Sequence, residues 1–108
     1  MRTHLRVLHD REQPRQALRA DQLYIPRIYV DELARAVDLP GKALAVYLAI
    51  RFEVAVKNAS TIPLGNRILA ERWGIHREAK RNALQALEQA GLIIVSRKPG
   101  ASPLVTVL

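Results

Sequence analysis

Apolar residues recur at helical spacing through the middle of the chain and at strand spacing near its end. The pattern predicts four helices, over 32–37, 42–57, 65–73 and 77–90. Asp31 is expected to cap the first helix through its carboxylate. Gly74 and Gly91 follow the last two helices, where a residue that adopts the left-handed conformation without steric cost ends a helix.

The β-type runs are short and lie on either side of the helices. They cover 23–30, 60–63, 92–97 and 103–108. Pro26 restricts the first run to an edge strand or an extended lead-in. Pro99 and Gly100 suit the centre of a type II turn between the last two runs. We therefore expect a mainly α domain with a small β-hairpin, of the α+β class, over 23–108.

The predicted helix over 42–57 is apolar on nearly all sides. Only Arg51 and Glu53 interrupt its interior, and such a helix must be covered on most of its surface. A single layer in so small a domain could hardly cover it. We therefore expect the N-terminal segment, a second subunit, or both to pack on it. A second subunit packed there would make the protein a homodimer. Tyr47 and Phe52 are expected in the core or in that dimer contact.

Composition adds a strong positive charge to this picture. The 108 residues suit one domain, 49% are hydrophobic, and 17 Lys and Arg against 10 Asp and Glu give a net charge of +7. Polyanions are the natural partners of such a chain, although a dispersed basic charge is the plain alternative. Residues 1–22 carry several arginines and few large apolar residues, which predicts a basic arm ahead of the domain over 23–108.

Several classes of protein are disfavoured by what the sequence lacks. There is no cysteine, no apolar stretch of membrane-spanning length and no apolar block of a signal peptide, so we expect a cytoplasmic protein associated with the nucleoid. His76 has no second histidine nearby, and His4 and His9 lie in the arm, so no metal site is expected. No phosphate-cradling glycine loop or nucleophile with a base is present. We expect neither a cofactor nor enzymatic activity.

The second half of the chain combines a helix, a three-residue turn around Gly74 and Ile75, a helix and a hairpin. Apolar or small residues fall where two crossing helices need them, at Leu69, Ala70, Trp73, Ile75, Leu84 and Leu87. This is the order of elements in a winged helix-turn-helix. The run over 69–93 resembles the winged-helix regulators of the MarR and GntR types, and is also similar to the winged helices of plasmid and phage replication initiators. The resemblance extends over 24–108 and implies binding to double-stranded DNA.

In such a fold the second helix enters the major groove with its N-terminal residues against base edges. The residues expected to contact DNA from this helix are His76, Arg77, Lys80, Arg81, Asn82 and Gln85. A solvated basic face is the alternative. Lys80 departs from the pattern, because a β-branched core residue is usual there. Either its stem passes the core edge and reaches phosphate, or the register shifts so that Ala79 faces inward. Glu78 is expected to pair with Arg81.

Two further groups are expected to contact the DNA backbone. Arg97 and Lys98 precede the hairpin turn and would hold phosphate or a narrow minor groove. Asn66 and Arg67 begin the preceding helix and would add phosphate contacts. Trp73 stands directly before the turn glycine, which favours core packing over a base-stacking platform.

These expectations favour a small transcriptional regulator that binds double-stranded DNA sequence-specifically, with helix 77–90 in the major groove and a wing over 97–102. A plasmid or phage replication or maintenance factor is an alternative. A winged-helix module that binds a protein partner without DNA is another.

Overall fold

The computed structural model describes Ile25 and residues 27–108. The basic arm predicted over 1–22 and the rest of the segment before Ile25 lie outside the described residues. The described part is an α+β fold of four helices and a small antiparallel sheet. Its elements are α1 (Val30–Val37), α2 (Ala43–Lys57), β1 (Thr61–Pro63), α3 (Asn66–Trp73), α4 (Arg77–Gln89), β2 (Ile93–Ser96) and β3 (Leu104–Val107).

The sheet has three strands rather than the hairpin alone. Its order is β1-β3-β2, and both neighbouring pairs are antiparallel. The short strand predicted over 60–63 is present as β1, which pairs Ile62 with Val105. Ile62, Ile93 and Val105 are buried under the helices, as strand alternation requires. The hairpin is thereby fixed to the segment that leads into α3.

At the start of the domain, the edge-strand alternative for the run over 23–30 is not found in the described residues, and the predicted helix cap was wrong. Ile25 and residues 27–29 belong to no strand, and Val30 already begins α1. Tyr29, not Asp31, holds the N-cap position, and its carbonyl accepts the amide protons of Glu32 and Leu33 at 3.1 and 3.2 Å. Asp31 lies in the first turn, where its negative charge still favours the positive end of the helix dipole.

Helix α2 lies at the centre of the molecule and packs against both α1 and α4. Its buried residues are Ala43, Val46, Tyr47, Ala49, Ile50, Phe52 and Glu53. Val56 is a large apolar residue of α2 that stays exposed to solvent, at 62%. One copy of the described residues therefore covers most of this helix. The elements that contact it are α1, α3, α4 and strands β1 and β3, and the N-terminal segment expected to pack on it lies outside the described residues.

The connection between α3 and α4 is a tight turn with a fixed angle. Gly74 takes φ 67°, and the amides of Gly74 and Ile75 donate to the carbonyls of Ala70 and Leu69 at 3.2 and 3.0 Å. Leu69 and Ile75 are both buried, which adds the apolar contact typical of this helix end. The turn therefore sets the orientation of α4 relative to α3.

The buried hydroxyl of Tyr47 gives the fold a pH dependence. It donates to Glu32 Oε1 at 2.9 Å, and burial, followed by this hydrogen bond and the charge of Glu32, raises the pKa of Tyr47 to about 12. The pKa of Tyr47 in the folded state lies above the value of about 10 in the unfolded state. The protonated hydroxyl therefore contributes fully to the free energy of unfolding below pH 10, and this contribution is lost as pH rises towards 12. Between about pH 9 and about pH 11.5 the parent should lose ~2 kcal/mol more free energy of unfolding than Tyr47→Phe.

Urea unfolding at the two pH values measures this difference. Tyr29→Phe is the matched control, because Tyr29 is 69% exposed and its loss should leave the parent's pH dependence intact. Equal losses in the parent and in Tyr47→Phe would contradict the prediction.

Candidate nucleic-acid interface

Helix α4 has one face in the core and the other in solvent. The buried residues are Lys80, Ala83, Leu84 and Leu87, and their spacing follows one side of a helix. The opposite side exposes Arg77, Glu78, Arg81, Asn82 and Gln85. Apart from Lys80 and the N-cap residue His76, the side chains predicted to contact DNA from this helix therefore share one exposed face.

The first turn of α4 keeps its amide protons available. His76 holds the N-cap position with an extended backbone, and no side chain of the described residues caps the helix there. Four amide groups at a helix start have no partner within the helix, so an anion can accept from them. The negative Glu78 is paired with Arg81 at 3.0 Å, as the sequence predicted. Both side chains are about two-thirds exposed or more, so the pair is weak enough to yield to a phosphate.

The far end of α4 is held by a residue that the sequence analysis missed. Arg35 Nη2 donates to the carbonyl of Ala90 at 2.8 Å, which places a cation at the negative end of the helix dipole. Arg35 lies 55 positions away on α1, and no local pattern connects the two residues. The contact ties α1 to the end of α4 and leaves the opposite end of α4 open.

Lys80 does not lie on the exposed face, so its prediction as a DNA contact was wrong. Its side chain is 6% exposed, and Nζ donates to the carbonyl of Leu64 at 2.6 Å and to Asn66 Oδ1 at 2.7 Å. Burial, followed by the nearby positive charge of Arg97, lowers the pKa of Lys80. The stem does not turn outward because two acceptors at the start of α3 satisfy the ammonium inside.

The hairpin loop carries its cations outside the sheet. Arg97 and Lys98 are exposed, and the amide of Ala101 donates to the Lys98 carbonyl at 3.2 Å across the turn. Gly100 takes φ 78°, so the predicted type II turn with Pro99 and Gly100 at its centre is confirmed.

The loop then returns to the start of α3. The amide of Leu64 donates to the carbonyl of Pro103 at 3.0 Å, which joins the end of the loop to the residue two positions before α3. The hairpin, α3 and α4 therefore meet near Asn66.

The remaining predicted contacts lie on α3. Arg67 and Asn66 are both exposed, and Arg67 Nε pairs with Glu71 at 2.9 Å. That ion pair is highly exposed, so it restricts Arg67 little.

Trp73 packs inward rather than forming an open stacking platform. Its ring meets the buried Phe52 edge-on, with 6.4 Å between centroids, and it packs against the core cluster. Its Nε1 is buried and has no hydrogen-bond partner among the described residues. The geometry favours the core-packing interpretation of this residue.

The positive charge is concentrated on these elements. Residues 66–98 contain seven Lys and Arg against three acidic residues, a balance of +4, whereas residues 27–65 contain five against four. Within the described part of the chain, no group of three or more His, Asp or Glu could hold a metal ion. None of its helices has the length and apolar character needed to cross a bilayer.

No protein-family model matches the chain, and comparison with curated proteins and with solved structures found no match.

Proposed function

We propose that this chain is a winged helix-turn-helix protein that binds double-stranded DNA. Helices α3 and α4 with their glycine turn form the helix-turn-helix, and the β2–β3 hairpin with its loop forms the wing. Within that class, the protein is a small sequence-specific transcriptional regulator. A role in plasmid or phage replication would use the same surface.

The outward face of α4 carries this proposal. It presents two guanidinium groups, Arg77 and Arg81, together with the amides of Asn82 and Gln85, from an element whose other face is locked in the core. Arginine pairs bidentately with guanine, and Asn or Gln with adenine. The open first turn and the cations of the loop add phosphate contacts on either side. Such an arrangement suits base readout in a major groove.

The first test is the salt dependence of binding to a random-sequence duplex. Several phosphate contacts should weaken binding by orders of magnitude between about 0.05 M and about 0.2 M salt. Fluorescence anisotropy of a labelled duplex measures this slope. No duplex binding at the lowest salt would overturn the proposal.

The wing and the helix are expected to contribute differently. Lys98→Ala should weaken binding to all duplexes alike and reduce the salt slope by about one, because an exposed loop lysine contacts phosphate. Asn82→Ala should instead change base preference, by about 1–3 kcal/mol at one position. Selection of bound sequences from a random duplex pool, repeated with each variant, measures both effects. Equal effects of the two substitutions on every sequence would contradict this division.

A module that binds a protein partner is the second candidate, and the outer face of the sheet favours it. Ile94 and Leu104 are 50% and 41% exposed there, beside the uncharged Ser96 and Thr106. Uncharged apolar surface suits a protein partner better than a phosphate backbone. The salt experiment separates the candidates, because such a module would not bind duplex even at low salt.

A further inference from the structure

Lys80 is the one cation that is buried in the described part of the chain. Burial of an ammonium group is costly unless its protons are satisfied. Both acceptors of Lys80 are uncharged: the carbonyl of Leu64 at 2.6 Å and the amide oxygen of Asn66 at 2.7 Å. Among the described residues no carboxylate forms an ion pair with it. Among the described residues, the ammonium is therefore held only by the short segment from Leu64 to Asn66 that leads into α3.

This contact fixes which way the amide of Asn66 faces. A lysine ammonium has protons to donate and nothing to accept with, so Asn66 must present its oxygen to Lys80. The Nδ2 group, which carries two donor protons, then points away from Lys80. Asn66 is exposed, and Nδ2 has no acceptor among the described residues. The result is a surface hydrogen-bond donor whose orientation is set from inside the protein.

The position of this donor is central to the proposed DNA surface. Asn66 is the first residue of α3, where no side chain of the described residues caps the free amide protons. The positive charge of Arg97, at the base of the wing, adds to burial in lowering the pKa of Lys80. Ser102, later in the same loop, lies beside Gly65, because a Cβ built on that glycine would stand 3.5 Å from Ser102 Oγ.

We infer that Lys80 is a positioning residue of the DNA-binding surface: it holds Asn66 so that Nδ2 donates to a backbone phosphate at the junction of α3, α4 and the wing. The inference rests on the proposed binding of double-stranded DNA. It gives the out-of-pattern lysine a function that does not require contact with DNA. It also makes Asn66 a donor of fixed orientation rather than a freely rotating surface amide.

Asn66→Asp tests the orientation directly. The carboxylate keeps an oxygen acceptor for Lys80, so the melting temperature should not fall, but the donor to phosphate is gone. We expect at least about 10-fold weaker binding to a random duplex at about 0.1 M salt, because a hydrogen bond to a charged phosphate is lost and a carboxylate faces the phosphate instead. Gln89→Glu is the matched control, since it lowers the net charge equally at the opposite end of α4. It should change affinity less than about 3-fold, because remote charges are screened.

A double-mutant cycle tests the coupling. Asn66→Ala and Lys80→Met should each weaken duplex binding, and the double variant should be no weaker than the worse single variant, because both remove the same oriented donor. Additive losses would overturn the inference. If Lys80→Met fails to fold, Asn66→Asp can still overturn the inference, because binding no weaker than that of Gln89→Glu would mean that Asn66 does not donate to phosphate.

The outcomes separate this inference from the proposed function. A parent protein that binds no duplex at low salt defeats the proposed function. A parent that binds, with Asn66→Asp no weaker than Gln89→Glu, defeats the role of Lys80 and Asn66 while the proposed function stands.

Discussion

Replacement of both Arg77 and Arg81 by alanine is expected to weaken binding to a random duplex about 100-fold at about 0.1 M salt. On a random duplex no guanine pairing is selected, so each of the two arginines would contact phosphate instead. Each such contact contributes roughly a factor of ten at that salt, because log K changes by about 0.9 per contact for each decade of salt. Both guanidiniums lie on the exposed face of α4, so their loss should leave the fold intact. Anisotropy titrations over a range of salt measure the affinity, and the slope should fall by about two.

Two further variants show whether the loss of affinity in the double arginine variant depends on the position of the arginines or on net charge. Lys42→Ala removes another exposed cation, at the N-cap of α2, and should weaken binding less than about 3-fold. Glu78→Gln frees Arg81 from its 3.0 Å partner and should tighten binding by about 3-fold. A loss in the double arginine variant no greater than twice that of Lys42→Ala would mean that α4 does not face the duplex.

Leu84→Ala is expected to lower the free energy of unfolding by about 3 kcal/mol, since a fully buried leucine leaves both lost apolar contacts and a cavity. Leu84 is 0% exposed and lies on the core side of α4. Urea unfolding measures the loss, which should lower the melting temperature by about 12 °C or more in a domain of this size.

The adjacent residue supplies the control. Gln85 is exposed, so Gln85→Ala should change stability by less than about 0.5 kcal/mol. Comparable losses in both variants would contradict the assignment of the two faces of α4.

The elements of the second half could be predicted because each depends on neighbours in sequence. Gly74 and Gly91 end helices through their backbone freedom, and Pro99 with Gly100 makes the turn of the hairpin. Glu78 and Arg81 are three positions apart on one helix, which places their side chains next to each other, so the sequence alone could indicate that they pair.

The start of the domain was harder to predict because its signals are weak. Alternating apolar residues around Pro26 left an edge strand and an extended lead-in open over 23–30, and Val30, the last residue of that run, already begins α1. Packing of α1 against α2, together with the hydrogen bond from Tyr47 to Glu32, favours the helix over the local preference.

Sequence spacing by itself determined which side chains of α4 can share a face, because a helix fixes the angle between successive residues. It therefore determined that Arg77, Arg81 and Gln85 lie together. Only the tertiary structure decided where Lys80 points. Its charge predicts solvent or phosphate, but the carbonyl of Leu64 and the amide of Asn66 come from a segment that folds against α4 from 14 or more positions away. Hydrogen bonds between residues so far apart in sequence cannot be predicted from residue spacing, because the position of their acceptors depends on how distant segments pack.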